Sequence, residues 1–303
     1  MVTRSKAIKG RLLILLEGKK QLRCHRKYLS FYTAFEHSKR DIDVIEMSLA
    51  TNSIEVHSSM IFLRIFLQVR GSVPLYWSQP GIRYRPPPKL DATPDEDLAA
   101  FTSHFNQEYS VYDGPITCVS LVEKSGREKV IGDAYMDNAL ALNRADLNFV
   151  YFDFHEYCRG MKFENVNILI EALEEDYIKA MRYCWLDKHG VVCQQRGVFR
   201  VNCIDCLDRT NVVQTAIAKT VLENQLIKLG LIPPEAGIPP KLRSVFQGLW
   251  ANNGDALSKQ YAGTNALKGD FTRTGERNLS GLMKDGMNSA SRYYLNQFRD
   301  AYR

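Results

Sequence analysis

Apolar residues in the first ninety positions occur in short, dense runs, and this pattern predicts strands. The runs RLLILLEG at 11–18 and MIFLRIFLQVRGSVPLYW at 60–77 are rich in branched and aromatic residues, which favour extended structure. Prolines at 86–88 follow, as is typical of an extended connector. We therefore predict a β-rich N-terminal subdomain with its connector over residues 1–90, and a second domain over residues 91–303.

After residue 91 the pattern alternates between helix and strand. Leu98, Phe101 and Phe105 recur at helical spacing behind Pro94, and a longer helix is predicted over 167–186. This alternation predicts the α/β class. The short apolar runs that indicate strands lie at 116–124, 147–155 and 198–203.

The last of these strands leads into a loop and then a helix. Val213, Ile217 and Val221 recur every fourth residue, so a helix is predicted from Thr210 to a stop at Gly230. Residues 204–208 then form a loop at the helix N-terminus. About four backbone N–H groups there lack helical partners and the helix dipole is positive, which makes such a terminus an anion site. We expect a phosphate group to bind at this loop.

Composition and charge narrow the class of protein. The 303 residues are 45% hydrophobic and 24% charged, as expected for a globular chain, and the net charge of +6 favours an anionic partner such as phosphate or an anionic membrane over nucleic acid. Seven cysteines are an odd number in a long chain and do not indicate a disulfide framework. The most apolar segment, Met60 to Val69, is broken by Arg64 and is too short to span a bilayer. These features predict a cytoplasmic protein with reduced thiols.

Cys203 and Arg209, with five residues between them, indicate nucleophilic chemistry on a phosphate. A helix N-terminus and a nearby guanidinium lower a thiol pKa from about 8.5 into the range of about 3.5–7.5, so we expect Cys203 to be largely thiolate at neutral pH. The thiolate can attack phosphorus in line and form a phosphocysteine, while Arg209 holds two phosphate oxygens. This chemistry requires no metal ion and no other cofactor.

The same chemistry needs a proton donor for the leaving oxygen and a base for the attacking water. Asp205 and Asp208 are the acids in the loop. Asp205 is the favoured candidate, because a carboxylate at position 208 can instead accept helix-start N–H groups and orient the guanidinium. Thr210 has two interpretations: it caps the helix, or its hydroxyl bonds the thiolate.

The predicted phosphate-binding residues lie around the loop and on a basic, glycine-rich turn, KGDFTRTG, nearer the C-terminus. They are Asn202, Ile204, Cys206, Leu207, Thr210, Lys268 and Arg273.

Cys203 and Cys206 also form a C-x-x-C pair, which permits two other hypotheses. One is a thioredoxin-like redox pair, and the other is half of a zinc site. A redox pair does not require Arg209 or Thr210, and zinc requires a second ligand pair that the chain does not offer at the usual spacing.

The segment RVNCIDCLDRTN at 200–211 resembles the signature R-x-N-C-x-D-C-x-D-R-T-N of the Sac-domain phosphoinositide phosphatases. The segments at 152–165 and 250–303 extend this resemblance, and the second is most similar to the inositol-polyphosphate-phosphatase-F branch. The resemblance implies a cysteine-phosphatase-like catalytic domain over 91–303. It also implies a phosphoinositide lipid as partner, removal of the 4-phosphate of phosphatidylinositol 4-phosphate, and a peripheral location on the cytosolic face of endosomal membranes.

One segment near the N-terminus departs from the family pattern. Residues Asp43 to Met60 do not match, so the N-terminal β-rich subdomain is expected to be truncated. This departure motivates an alternative function, a catalytically impaired phosphoinositide-binding or scaffold protein in which the loop holds the head group without turnover.

Overall fold

The computed structural model describes residues 30–37, 45–55, 61–79, 86–187, 189–267, 269–274 and 279–298. Strands and helices alternate through these residues. The strands are β1 (Ser30–His37), β2 (Ile45–Glu55), β3 (Ile61–Gly71), β4 (Trp77–Ser78), β5 (Lys89–Leu90), β6 (Ile116–Ser120), β7 (Leu147–Tyr151), β8 (Cys184–Asp187), β9 (Gly190–Cys193) and β10 (Val198–Asn202).

Eight of these strands build the main sheet, whose two faces are covered by helices, and β4 and β5 pair with each other in a separate two-stranded sheet. The α-helices are α1 (Pro94–Val111), α2 (Lys129–Leu142), α3 (Phe154–Tyr157), α4 (Val166–Leu173), α5 (Lys179–Met181), α6 (Asp208–Lys228), α7 (Pro240–Ala262), α8 (Gly269–Thr274) and α9 (Leu279–Phe298). Two 3₁₀ turns, at Arg159–Met161 and Phe163–Asn165, and one π-helical turn at Glu174–Ile178 join α3, α4 and α5.

The main sheet is mixed, with β10 near its centre. Its order within the described residues is β1-β2-β3-β10-β6-β7, and β8 pairs with β3 and β9. β10 runs parallel to both β3 and β6, β6 runs parallel to β7, and β1, β2 and β3 are antiparallel. All five residues of β10 are buried, as expected for a parallel strand covered on both faces.

Two apolar cores lie on opposite faces of the sheet because side chains alternate along each strand. On one face Val119 and Phe199 pack with residues of α4 and α6, including Val213. On the other face Ile116 packs with residues of α1 and α2, including Phe101. A third cluster joins α6 to α7 around the buried Trp250.

Most predicted elements are present, and the α/β class is confirmed. β3, β6, β7 and β10 lie in the predicted runs, and α1 begins behind a capping box formed by Thr93 and Glu96. The run at 11–18 lies outside the described residues.

Two predicted helix boundaries were wrong. The predicted helix over 167–186 ends at Met181, because Arg182 adopts a φ of 59° and the chain turns into β8, which pairs with β3 at Leu63–Ile65. Pairing with a strand distant in sequence overrides the helical pattern there. Helix α6, which follows the predicted phosphate-binding loop, begins at Asp208, two residues before the predicted start.

The main sheet continues across the predicted boundary at residue 90. β3 precedes this boundary, and its residues 68–71 pair with residues 199–202 of β10. The division into 1–90 and 91–303 therefore stays a prediction about folding units, while the sheet itself uses both segments. Within the described part of the chain, no helix is long and apolar enough to cross a bilayer.

Candidate active site

The loop after β10 emerges at an edge where three parallel strands end together. Asn202, the last residue of β10, is paired with Gly71 at the end of β3 and with Ser120 at the end of β6. Ligands bind at the carboxyl ends of parallel strands in α/β sheets, because the loops that follow them converge there. The residues after β3, β6 and β10 therefore surround one site.

The loop brings three of the predicted site residues around the sulfur atom of a fourth, Cys203. The backbone N–H of Cys206 donates to Cys203 Sγ at 2.9 Å, and Thr210 Oγ1 lies 3.4 Å from the same sulfur. The thiol of Cys203 donates to Asp205 Oδ1 at 3.2 Å. Because Leu207 is the N-cap residue of α6, Thr210 does not cap the helix, and the sulfur contact is the interpretation that the geometry favours.

The ionisation state of the loop differs from the expectation. Burial raises the pKa of the Cys203 thiol, and the neighbouring Cys206 and Asp205 add to this, whereas the charge of Arg209 opposes it. This direction is opposite to the lowered pKa that the helix N-terminus and Arg209 led us to expect. Burial alone would raise the pKa of Asp205, but the charge of Arg209 and the N–H of Leu207 outweigh it, so this pKa lies below its usual range. The pair is thus a thiol donating to a carboxylate.

Cys206 forms the other half of this arrangement. Its backbone has a φ of 52°, its sulfur accepts the N–H of Cys203 at 3.2 Å, and its thiol donates to the carbonyl of Cys203 at 3.1 Å. Burial opposes ionisation of this thiol, yet hydrogen bonds from Cys203 and the charge of Arg70 lower its pKa. Both cysteines are free thiols in the structure.

Arg209 is held by a residue that the sequence did not single out. Its Nη1 and Nη2 donate to the two carboxylate oxygens of Glu128 at 2.9 and 2.8 Å, and Nη1 also lies 3.4 Å from the carbonyl of Leu121. Both partners belong to the segment between β6 and the start of α2. The guanidinium is therefore fixed against the loop after the neighbouring strand.

Asp208 contacts a different arginine from the one expected. Its Oδ1 accepts the N–H of Leu267 at 2.6 Å, and its Oδ2 pairs with Arg292 Nη1 of α9 at 2.8 Å. Arg292 also donates to Ser258 Oγ and to Thr264 Oγ1. Asp208 thus ties the start of α6 to α9, which supports a structural role for its carboxylate.

The predicted basic turn has one of its two candidate residues, Arg273, in the described part of the chain, and the contacts of Arg273 there are with α7. Lys268 lies outside the described residues. Arg273 on α8 pairs with Asp255 at 2.6 Å and with Asn252 at 3.2 Å, both on α7. Their predicted role in phosphate binding stays a prediction.

The side chains of the remaining predicted residues face the interior of the protein. Asn202 is fully buried, donates to the carbonyl of Gly71 at 2.8 Å and accepts from the hydroxyl of Tyr135 at 2.7 Å. Its side chain is therefore engaged within the protein. Ile204 and Leu207 present their side chains to the apolar interior, so phosphate contact from them would come through the backbone.

Comparison with known proteins supports the class that the fold and loop define. Residues 45–159 match the SacI homology domain. The match includes most of the segment from Asp43 to Met60 that the motif comparison placed outside the pattern, and this segment contributes β2 to the sheet. This match, together with relatives at least 40% identical over more than four fifths of this chain, shows that the chain belongs to the Sac-domain family.

Individual relatives agree with this assignment. The chain is 57% identical over 250 residues to phosphatidylinositide phosphatase SAC2 of Homo sapiens, an overlap of 82% of this chain and 22% of that protein. It is 41% identical over 266 residues to phosphatidylinositol-3-phosphatase SAC1 of Drosophila melanogaster, covering 85% of this chain and 44% of the relative. For SAC1 of Saccharomyces cerevisiae the identity is 40% over 261 residues, covering 81% and 40%. The chain therefore spans about a fifth to under half of these relatives' length.

Proposed function

We propose that the chain is a phosphoinositide phosphatase that removes a monoester phosphate through a phosphocysteine intermediate on Cys203. The observation that carries this proposal is the surrounding of one sulfur by an amide, a hydroxyl and a carboxylate, at the junction of a parallel strand and a helix. The relatives are named as phosphatidylinositide and phosphatidylinositol phosphatases, which supports the substrate class.

The hydrogen bond between Cys203 and Asp205 supports a proton path for the proposed first step. Asp205 accepts the thiol proton as the sulfur attacks phosphorus, and returns that proton to the leaving alkoxide as the P–O bond breaks. In the second step Asp205 accepts a proton from water, the resulting hydroxide attacks phosphorus, and the P–S bond breaks. The proton then returns to Cys203, so the loop ends as it began.

The preferred lipid is proposed to be phosphatidylinositol 4-phosphate, presented on the cytosolic face of endosomal membranes. This choice rests on the resemblance of the C-terminal segment to the inositol-polyphosphate-phosphatase-F branch. The names of the SAC1 relatives specify a 3-phosphatase, so phosphatidylinositol 3-phosphate is the competing substrate.

The test is phosphate release from short-chain forms of every phosphoinositide isomer by the purified chain and by Cys203→Ser. We expect release from the 4-phosphate to exceed that from the others, and the substitution to abolish it while thermal unfolding is unchanged. Undiminished release by Cys203→Ser would exclude the phosphocysteine mechanism.

A second candidate is a phosphoinositide-binding or scaffold protein with impaired catalysis. It is favoured by the burial of Cys203, whose side chain is 0% exposed and whose thiol pKa is raised by that burial, since a buried neutral thiol is a weak nucleophile. In that case vesicles containing phosphatidylinositol 4-phosphate would bind the chain without any release of phosphate.

A further inference from the structure

Residues 70–72, at the end of β3, form hydrogen bonds to one side of the candidate catalytic loop. Arg70 Nε donates to the carbonyl of Cys206 at 2.9 Å, and Arg70 Nη2 donates to the carbonyl of Leu207 at 2.6 Å. Two residues later, Ser72 Oγ donates to the carbonyl of Ile204 at 3.0 Å. Three carbonyl groups between Cys203 and Arg209 are therefore held by one short segment.

These contacts also orient the N–H groups of the loop. The peptide units are trans, and in a planar trans peptide the C=O and N–H bonds point in opposite directions. Carbonyls that face Arg70 and Ser72 therefore turn the N–H groups of Asp205, Leu207 and Asp208 toward the opposite side. The N–H of Leu207 lies 3.1 Å from Asp205 Oδ1, the same oxygen that contacts the Cys203 sulfur, so this opposite side is the side of the thiol.

The cost of burying Arg70 indicates that its position matters. The side chain is 1% exposed, and among the described residues its hydrogen bonds go to loop carbonyls. Burying a cation is expensive unless polar partners compensate it. The planar guanidinium of Arg70 donates to two successive carbonyl groups, a geometry that a lysine ammonium does not reproduce.

Residues 70–72 are in turn fixed by contacts with β10. The carbonyl of Ser72 accepts from Arg200 Nη2 at 3.2 Å and from Asn202 Nδ2 at 3.2 Å. Strand β10 therefore fixes the position of Ser72, and Ser72 in turn contacts the loop that follows β10. This closed set of contacts leaves the loop little freedom to turn its carbonyl groups toward a bound anion.

We propose that Arg70 and Ser72 are positioning residues that fix the loop with its N–H groups toward the transferring phosphate. This inference rests on the proposed function, since it names what prepares the loop for an oxyanion. Pre-oriented backbone donors stabilise the charge that develops in the transition state, and the loss of one such donor typically lowers turnover by about 10² to 10³-fold.

The experiment compares Arg70→Lys and Ser72→Ala with a matched control, Arg64→Lys. Arg64 is equally buried and lies on the same strand, about 20 Å away along it, with its guanidinium over the ring of Trp185 at 4.1 Å. For each variant we would measure kcat and KM on short-chain phosphatidylinositol 4-phosphate, inhibition by orthovanadate, and thermal unfolding. Vanadate is the informative probe because it adopts the trigonal bipyramidal geometry of the transition state.

We expect Arg70→Lys to lower kcat/KM by about 100-fold and Ser72→Ala by about tenfold, mostly in kcat. The vanadate inhibition constant should rise in parallel. Arg64→Lys should change kcat/KM by less than about twofold, since distant sites act independently. If Arg70→Lys and Ser72→Ala keep the vanadate inhibition and kcat of the control, the proposal is overturned.

Failure of the proposed function gives a different result. If the wild-type chain hydrolyses no phosphoinositide, binding of vanadate and tungstate is measured directly by calorimetry. Weaker binding by Arg70→Lys and Ser72→Ala than by Arg64→Lys would still support the positioning role. Equal binding by all variants, or no oxyanion binding by the wild type, would refute it. Should Arg70→Lys fail to fold, Ser72→Ala alone decides, because it deletes a single hydroxyl.

Discussion

Replacing Glu128 by glutamine tests whether Arg209 is positioned by its carboxylate. Glu128 takes the Nη1 and Nη2 edge of the guanidinium, at 2.9 and 2.8 Å. A guanidinium carries five N–H donors, so Nε and the second N–H of Nη2 form another edge that suits two phosphate oxygens. The charge of Arg209 already acts on Cys203 and Asp205. We therefore expect Glu128 to orient the guanidinium of Arg209 rather than to compete with phosphate for it.

The size of the effect follows from the burial of the pair. Hydrogen bonds to charged groups contribute about 1.5–3 kcal/mol when buried, whereas exposed ion pairs contribute about 0–1 kcal/mol. The side chains of Arg209 and Glu128 are 18% and 16% exposed, which places the pair between these limits. Glutamine retains one acceptor oxygen. We therefore expect the substitution to reduce transition-state stabilisation by about 1.4 kcal/mol, which corresponds to about a tenfold decrease in kcat/KM.

The assay is phosphate release from short-chain phosphatidylinositol 4-phosphate, with orthovanadate inhibition measured beside it. Asp133→Asn is the matched control, because it also removes a carboxylate from a cation, Lys129, but on the exposed surface of α2. It should leave both measurements unchanged. Wild-type kcat/KM in Glu128→Gln would refute the positioning argument, and an increase in both kcat/KM and vanadate affinity would show that Glu128 competes for Arg209.

Three further outcomes are expected from urea unfolding. The pKa of Asp205 is lowered by folding, so its carboxylate stabilises the protein above about pH 4. The stability difference between wild type and Asp205→Asn should therefore shrink as the pH falls from about 6 to about 3, and a constant difference would contradict the lowered pKa. Arg292→Gln should lower the free energy of unfolding by about 3 kcal/mol, because it deprives the nearly buried Asp208 of a charged partner; a loss typical of a surface residue would argue against that contact. Gly197→Ala should destabilise by about 1–3 kcal/mol more than Gly190→Ala, since both have positive φ but a Cβ at 197 would meet the carbonyl of Pro115, and equal losses would exclude this clash.

The position of the site was predictable because its signals are local. A strand, a loop with Cys203 and Arg209, and a periodic helix occupy one continuous segment, so hydrophobic spacing alone located the loop at a helix N-terminus. The contacts among Cys203, Asp205 and Thr210 also lie within eight residues. Local chain geometry limits what such a segment can do, whatever the rest of the fold provides.

The residues that hold this loop were not predictable in the same way. Arg70, Glu128 and Arg292 lie 81 or more residues away from the loop groups they contact. A weak signal existed only for Arg70, a charged residue at the end of a largely apolar strand, directly before a glycine. Nothing in the spacing of Glu128 or Arg292 distinguishes them from residues of solvated helix faces.

The amino-acid sequence by itself determined the class of the fold, the place of the loop between β10 and α6, and the choice of its thiol and arginine as candidate catalytic residues, because each depends on residues adjacent in the chain. Tertiary structure alone decided which charges surround that loop. Pairing of β10 with β3 and β6 brings Arg70 and Glu128 to its two sides, and burial then raises the pKa of Cys203 where the isolated motif predicts a lowered one. Desolvation and long-range pairing act through space, so the order of residues does not reveal them.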